Sequence, residues 1–292
     1  MNINSIEENF SIEVDEKVVE KNLSKIKAIA QTREKDVEIL KKCFSLIDLT
    51  TLNSTDGYEK GKVMAEKVSS FKQNFQNIDN VAAICVYPTL IAAVKENLTV
   101  SKVNIASVAA GFPSSQTFID IKLSECQMAI ENGADELDVV ISLGAFLEGD
   151  YFTVFSELQQ IKEVAGKVHV KVILETGVLP SLKDIKLASF LAMEAGADFI
   201  KTSTGKLEPA ATPQAMYVMC EAIKEFYEKT GKKIGIKPAG GVGNSSDAAY
   251  YYSIVEQVLG KQWLNPELFR LGASRLANKL LSDITKTEVS YF

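Results

Sequence analysis

A single closed (β/α)8 barrel carrying an extra N-terminal helical segment is the fold class this sequence predicts, on three observations. Short β-like runs alternate with longer amphipathic stretches eight times over about 250 residues. No linker, low-complexity tract or composition break interrupts the alternation. The rival arrangement, a doubly wound sheet, would want a Gly-x-Gly-x-x-Gly turn after its first strand, and none is present. The 292 residues are 46% apolar and 24% charged, ordinary for a globular chain and enough to bury a core without a metal or disulfide staple.

Taken in order, residues 17–42 space Val18, Val19, Leu23, Ile26 and Ile29 as one helical face. Strands are then expected at 44–49, 81–87, 103–109, 136–142, 168–175, 198–202, 233–238 and 269–272. Helical patterns fall between and after them, at 58–76, 89–98, 115–132, 151–165, 181–195, 213–230, 245–259 and 274–283. Ser115, Ser181, Thr212-Pro213 and Asn244 stand at helix starts, and Gly133 and Gly196 at helix ends. The expected division is an acidic, helical extension over 1–42, the barrel over 43–283 and a tail over 284–292. The extension is expected to serve oligomerisation or to close the barrel bottom.

Charge and composition exclude several functions. Six acids and one lysine in the first 20 residues account for most of the net charge of −6, leaving the body near neutral. No basic face for nucleic acid is announced, no apolar run is long enough to span a bilayer, and the acidic start does not suit a targeting peptide. A cytoplasmic protein is expected. Cys43, Cys85, Cys126 and Cys220 lack metal-ligand spacing and read as reduced, buried thiols. His169, the single histidine, sits in a Val-rich strand and reads as packing. Neither a zinc site nor a Ser–His or Cys–His nucleophile is therefore expected, and no metal or cofactor.

Strand parity separates wall from axis. On the fifth strand Val170 and Val172 face outward, which turns His169, Lys171 and Glu175 inward; the sixth turns Lys201 inward and the seventh Lys237. Asp138 on the fourth strand and Asp48 with Thr50 on the first complete the inward polar set. Charges so placed must pair, and near strand C-termini they stand where barrel active sites are built. Two facing lysines are expected to lower each other's pKa, and a neutral amine attacks carbonyls. Asp138 could pass the protons. Lys, Lys and Asp without metal ligands suggest a metal-independent aldolase or related lyase, against a purely structural ion-pair plug. Lys237-Pro-Ala-Gly-Gly-Val-Gly243 and Gly272-Ala-Ser274, followed by helices, suit an anion at backbone amides, and Thr204-Gly205-Lys206 could join them.

At these residues the sequence resembles a known family. Asp48-Leu-Thr-Thr-Leu-Asn53, Ala134-Asp-Glu-Leu-Asp-Val-Val140, Leu174-Glu-Thr-Gly177, Phe199-Ile-Lys-Thr-Ser-Thr-Gly-Lys206 and Lys237-Pro-Ala-Gly-Gly-Val242 are similar to the 2-deoxyribose-5-phosphate aldolases, in their order, from about residue 44 to 281. The resemblance implies a class I aldolase that reversibly cleaves 2-deoxy-D-ribose 5-phosphate to D-glyceraldehyde 3-phosphate and acetaldehyde. It implies Lys201 as the Schiff-base lysine, Lys237 as the lysine that tunes it, and Asp138 as the proton carrier. Substrate or phosphate contacts are expected from Asp48, Thr50, Lys171, Thr204, Gly205, Lys206, Gly240, Gly241, Gly272 and Ser274. The partners implied are a sugar phosphate and acetaldehyde, with no nucleic acid and no membrane, in deoxynucleotide catabolism; a homodimer is allowed. Two alternatives stand beside this: a transaldolase-like Schiff-base lyase, and a non-catalytic barrel that binds sugar phosphate.

The sequence departs from the family pattern at three places. The first 40 or so residues precede the family's usual start. Arg275 replaces a second Ser, and Gly243 replaces the Arg that often follows Gly-Gly-Val, which opens the phosphate's cation to another position. Some relatives end in a mobile tyrosine that joins proton transfer; here Tyr291 is penultimate, and a free tail reaching over the barrel mouth would let its phenol act as a proton relay.

Overall fold

The computed structural model describes Ile6 and residues 8–292; residues 1–5 and 7 of the acidic extension lie outside the described residues. Eight parallel strands form one sheet in the order β7-β6-β5-β4-β3-β2-β1-β8. They are β1 (Ile47–Thr50), β2 (Ala83–Val86), β3 (Asn104–Ala109), β4 (Glu136–Val140), β5 (His169–Ile173), β6 (Phe199–Lys201), β7 (Gly235–Lys237) and β8 (Leu271–Ala273). The last seam is held by single bridges, Ile236 to Phe269 and Ala239 to Gly272, so the sheet closes on itself. The barrel expected from the sequence is the barrel observed.

Helices α1 (Glu16–Arg33) and α2 (Val37–Ser45) precede the first strand. The continuous pattern over 17–42 is broken because Asp36 turns its carboxylate onto the Glu38 and Ile39 amides and starts a new helix. That second helix runs through Phe44, whose ring stacks on Phe71 with centroids 4.9 Å apart, so β1 begins three residues later than expected. The described residues of the segment do not close the barrel bottom. Phe10 stacks on Phe190 and Phe226, Asn22 donates to the Tyr217 hydroxyl, and Arg33 pairs with Glu256 at 2.5 Å. Its apolar face thus covers the outside of the helix layer rather than the strand ends.

The layer around the sheet consists of α3 (Tyr58–Asn74), α4 (Ile91–Asn97), α5 (Ile119–Asn132), α6 (Leu143–Leu147), α7 (Tyr151–Ala165), α8 (Leu182–Glu194), α9 (Pro213–Thr230), α10 (Ser245–Leu259) and α11 (Leu276–Thr285). Only the one-turn α6 lacked a pattern of its own in the sequence. Ser181, Thr212 and Asn244 cap α8, α9 and α10 as their side chains promised; α5 starts instead after Phe118, without a side-chain cap.

Outward strand residues such as Leu137, Val139, Val170, Val172, Ile200 and Ile236 are fully buried against this layer and form the main core. The barrel axis is filled differently on its two sides. Small apolar side chains, Ala83, Cys85, Ala106 and Val108, pack from β2 and β3, while β1, β4 to β7 and Arg270, just before β8, present charges. All four cysteines are free and buried, and no helix among the described residues is long and apolar enough to cross a membrane.

Candidate active site

Register sets the site. β6 pairs with β7 so that Lys201 and Lys237 are neighbours across the ladder, and β4 pairs with β5 so that Asp138 and Lys171 are. Neighbours in register point to the same face, and here that face is the axis. Asp138 receives all three ammonium groups: Lys171 donates to Oδ1 at 2.9 Å, and Lys201 and Lys237 both donate to Oδ2 at 2.7 Å.

Below them lies a second tier. Lys237 Nζ sits 2.6 Å from Asp48 Oδ2, a close ion pair whose angle falls outside hydrogen-bond geometry. Asp48 Oδ1 accepts from Arg270 at 2.7 Å. Glu136 pairs with Lys171 at 2.5 Å and takes both terminal nitrogens of Arg270. None of these seven side chains belongs to a residue more than 2% exposed. Glu136 and Arg270 are absent from the set that sequence reasoning singles out. Each stands two residues before a residue of that set, Asp138 and Gly272, so extending the strand parity by one step finds both.

Four cationic side chains here meet three carboxylates, and with all of them ionised the dry cluster carries one uncompensated positive charge. That excess falls on Lys201. Burial is the largest influence on its ammonium, repulsion from Lys237 adds to it, and together they outweigh Asp138, so its pKa lies below the ordinary lysine range. Lys237 goes the other way. Burial opposes its charge too, but Asp138 and Asp48 outweigh it, and its pKa is raised. The expectation that the two lysines depress each other is therefore corrected: the depression is one-sided, because only Lys237 has a second carboxylate. Burial alone would raise Asp138, yet Lys171, Lys201 and Lys237 hold it well below the usual carboxylate range.

Lys201 borders a cleft of about 420 Å³ at the C-terminal ends of the strands, together with Thr50, Thr204, Gly205, Lys206, Gly240, Gly241, Gly272 and Ser274. The structure brings these sequence-predicted residues together. Asp138, Lys237, Lys171 and Asp48 are not among the lining residues; they lie beneath the cleft, in the charge cluster. Thr204 is fixed by Glu175, whose carboxylate accepts from its hydroxyl at 2.5 Å and its amide at 3.1 Å. Thr50 donates to the Asp48 carbonyl at 2.8 Å. Glycine is required at two lining positions. A Cβ on Gly272 would come within 2.8 Å of Ala239 Cβ and 3.0 Å of Lys237 Cε, and one on Gly240, at φ +76°, within 2.5 Å of Ala210 Cβ.

Tyr291 is not brought to this cleft, and the tail is not free. Its phenol donates to the Lys67 carbonyl at 2.7 Å and lies 3.1 Å from Ser70 Oγ, and its ring packs edge-on against Phe71 and Phe75. Asn278 Oδ1 accepts from the Tyr291 and Phe292 amides, each at 2.9 Å. Phe292, rather than Tyr291, borders the cleft. An aromatic end finds its core on α3, a partner remote in sequence. Among the described residues no group of three or more His, Cys, Asp or Glu is arranged to hold a metal ion.

The chain is similar to known proteins over most of its length. Residues 43–258 match the family described as DeoC/LacD family aldolase. The chain is 42% identical over 258 residues to the deoxyribose-phosphate aldolase of Homo sapiens, covering 85% of this chain and 80% of that one. Against the Mus musculus deoxyribose-phosphate aldolase it is 40% identical over 258 residues, with the same coverage of 85% and 80%. Among solved structures it is similar to the tetrameric deoxyribose phosphate aldolase from Aeropyrum pernix, with 25% identity and a TM-score of 0.67, covering 88% of this chain and 96% of that one.

Proposed function

The chain belongs to the DeoC/LacD aldolase family, and from that premise we propose that it cleaves 2-deoxy-D-ribose 5-phosphate reversibly through a Schiff base on Lys201. One observation carries the assignment of the nucleophile. Of the three lysines on Asp138, Lys201 alone borders the cleft and alone has a lowered pKa.

The neutral Lys201 amine attacks C1 of the open-chain sugar, and loss of water from the carbinolamine leaves an iminium. The C2–C3 bond then breaks. Its electron pair is taken up as an enamine, the C3 hydroxyl proton leaves to a base, and D-glyceraldehyde 3-phosphate departs. Protonation of the enamine carbon and hydrolysis release acetaldehyde and restore the amine. Asp138, 2.7 Å from Lys201 Nζ, is placed to carry protons for carbinolamine formation and dehydration. Lys237 stays charged and keeps Lys201 in its reactive form. The proposal includes action in the cytoplasm, in deoxynucleotide catabolism, and a homodimer as the assembly.

Direct assay tests the activity: 2-deoxyribose 5-phosphate should yield equimolar acetaldehyde and glyceraldehyde 3-phosphate, and no acetaldehyde would refute the reading. A second result follows from the one-sided electrostatics. In Lys237→Leu, Lys201 loses its like-charge neighbour and keeps Asp138, so its pKa rises. Since the neutral amine is the active form, the acid limb of the kcat/KM profile should move to higher pH, by about one unit or more. A limb that stays put, or moves to lower pH, would show that Lys237 does not tune Lys201.

A further inference from the structure

A phosphate monoester carries close to two negative charges near neutral pH, and something in the cleft has to meet them. Four cationic side chains border it: Lys60, Lys201, Lys206 and Arg275. Lys201 is committed to covalent chemistry, and the Lys206 ammonium donates to the Leu52 carbonyl. Lys60 and Arg275 are both exposed, and neither side chain has an ion pair or hydrogen bond among the described residues. Asp56, whose carboxylate feels Lys60, accepts from the Thr51 hydroxyl and the Asn53 backbone amide at Oδ2 and from the Asn53 side chain at Oδ1.

The fold places these two cations beside the glycine loop, since β7 closes onto β8 through Ala239 and Gly272. Lys60 lies in the first turn of α3, which follows β1, and Arg275 caps α11, which follows β8. β1 and β8 are neighbours, with Leu49 beside Ala273, so both cations stand over one seam of the barrel. The loop after β7 faces the same cleft with Gly240, Gly241 and Gly243. Gly243 has room for a side chain, since a Cβ there would meet nothing closer than Asp247 Oδ2 at 4.0 Å, but its amide already donates to Asp247 at 3.0 Å, and the loop's own side chains carry no charge. No Asp or Glu side chain borders the cleft.

We propose that Lys60 and Arg275 add, beside Lys206, the charge that holds the substrate phosphate, leaving position 243 without that task; the assignment rests on the aldolase reading above. The glycine loop and Ser274 then supply neutral donors, and discrimination between phosphorylated and free sugar is set at the β1–β8 seam. Both residues act on binding, remote from the bond that breaks, so their effect belongs in KM more than in kcat.

The test compares 2-deoxyribose 5-phosphate with unphosphorylated 2-deoxyribose as substrates. In Lys60→Gln/Arg275→Ser the ratio of their kcat/KM values should fall about a hundredfold, roughly tenfold for each cation removed from the phosphate. The loss should appear in KM for the phosphate ester, and that KM should become less sensitive to added salt. Lys60→Arg/Arg275→Lys should keep most of the discrimination. A merely structural role would lower both substrates together, so an unchanged ratio in the double Gln/Ser variant overturns the proposal. If the unmodified protein turns over neither sugar, the aldolase reading itself is refuted, and this assignment with it.

Discussion

Lys201→Arg should lower cleavage of 2-deoxyribose 5-phosphate by at least about a thousandfold while leaving the fold intact. The contrast between the two readouts is the informative part. Arginine keeps a positive charge beside Asp138, which accepts from Lys201 at 2.7 Å in the unmodified protein, so the charge cluster remains paired. A guanidinium, however, does not deprotonate in proteins and cannot form the iminium. The thermal midpoint should therefore move by only a few degrees as activity disappears. A variant retaining more than about a tenth of the activity would have lost at most about 1.4 kcal/mol of transition-state stabilisation, far too little for a covalent nucleophile.

Asp138→Leu should be damaging in both respects. The carboxylate is the shared acceptor of Lys171, Lys201 and Lys237. Removing it strands buried positive charge, which costs about 3–5 kcal/mol. For a chain of this size that corresponds to a fall of about 5–8 °C in the thermal midpoint. Activity should fall further than the loss of folded protein explains, because Schiff-base formation loses its proton carrier. The pH behaviour separates this variant from Lys237→Leu. Without Asp138, Lys201 loses the group that favours its charge, its pKa falls, and raising the pH offers no rescue. Asp138→Asn keeps the volume and tests the proton role with less loss of stability. Near wild-type rates in Asp138→Asn would show that the carboxylate is structural only.

The sequence made the wall and the axis of the barrel readable because strand side chains alternate with a period of two. Val170 and Val172 had to face the helices, so Lys171 had to face the axis, and it does. Parity does not encode depth. Lys171 and Asp48 share the inward face with Thr50, yet they sit in the charge cluster and Thr50 lines the cleft, because the stagger of the strands sets the level each residue reaches. Arg270 lies just before the short β8, outside the polar stretches that draw the eye, though one step of parity back from Gly272 reaches it. The unequal fates of Lys201 and Lys237 were not legible either. They depend on whether one carboxylate or two lie within about 3 Å of each amine, which only the folded register decides. The breaks at Asp36 and Phe44, and the docking of Tyr291 on α3, depend on capping and on aromatic partners distant in the chain.

Reductive trapping tests the central assignment most directly. The protein is incubated with acetaldehyde and borohydride, digested, and the modified residue mapped by mass spectrometry. An iminium at Lys201 predicts reduced ethylation there, first order in protein and abolished in Lys201→Arg. Label concentrated on Lys237 or Lys171, or no label in protein that turns over the sugar phosphate, would contradict it.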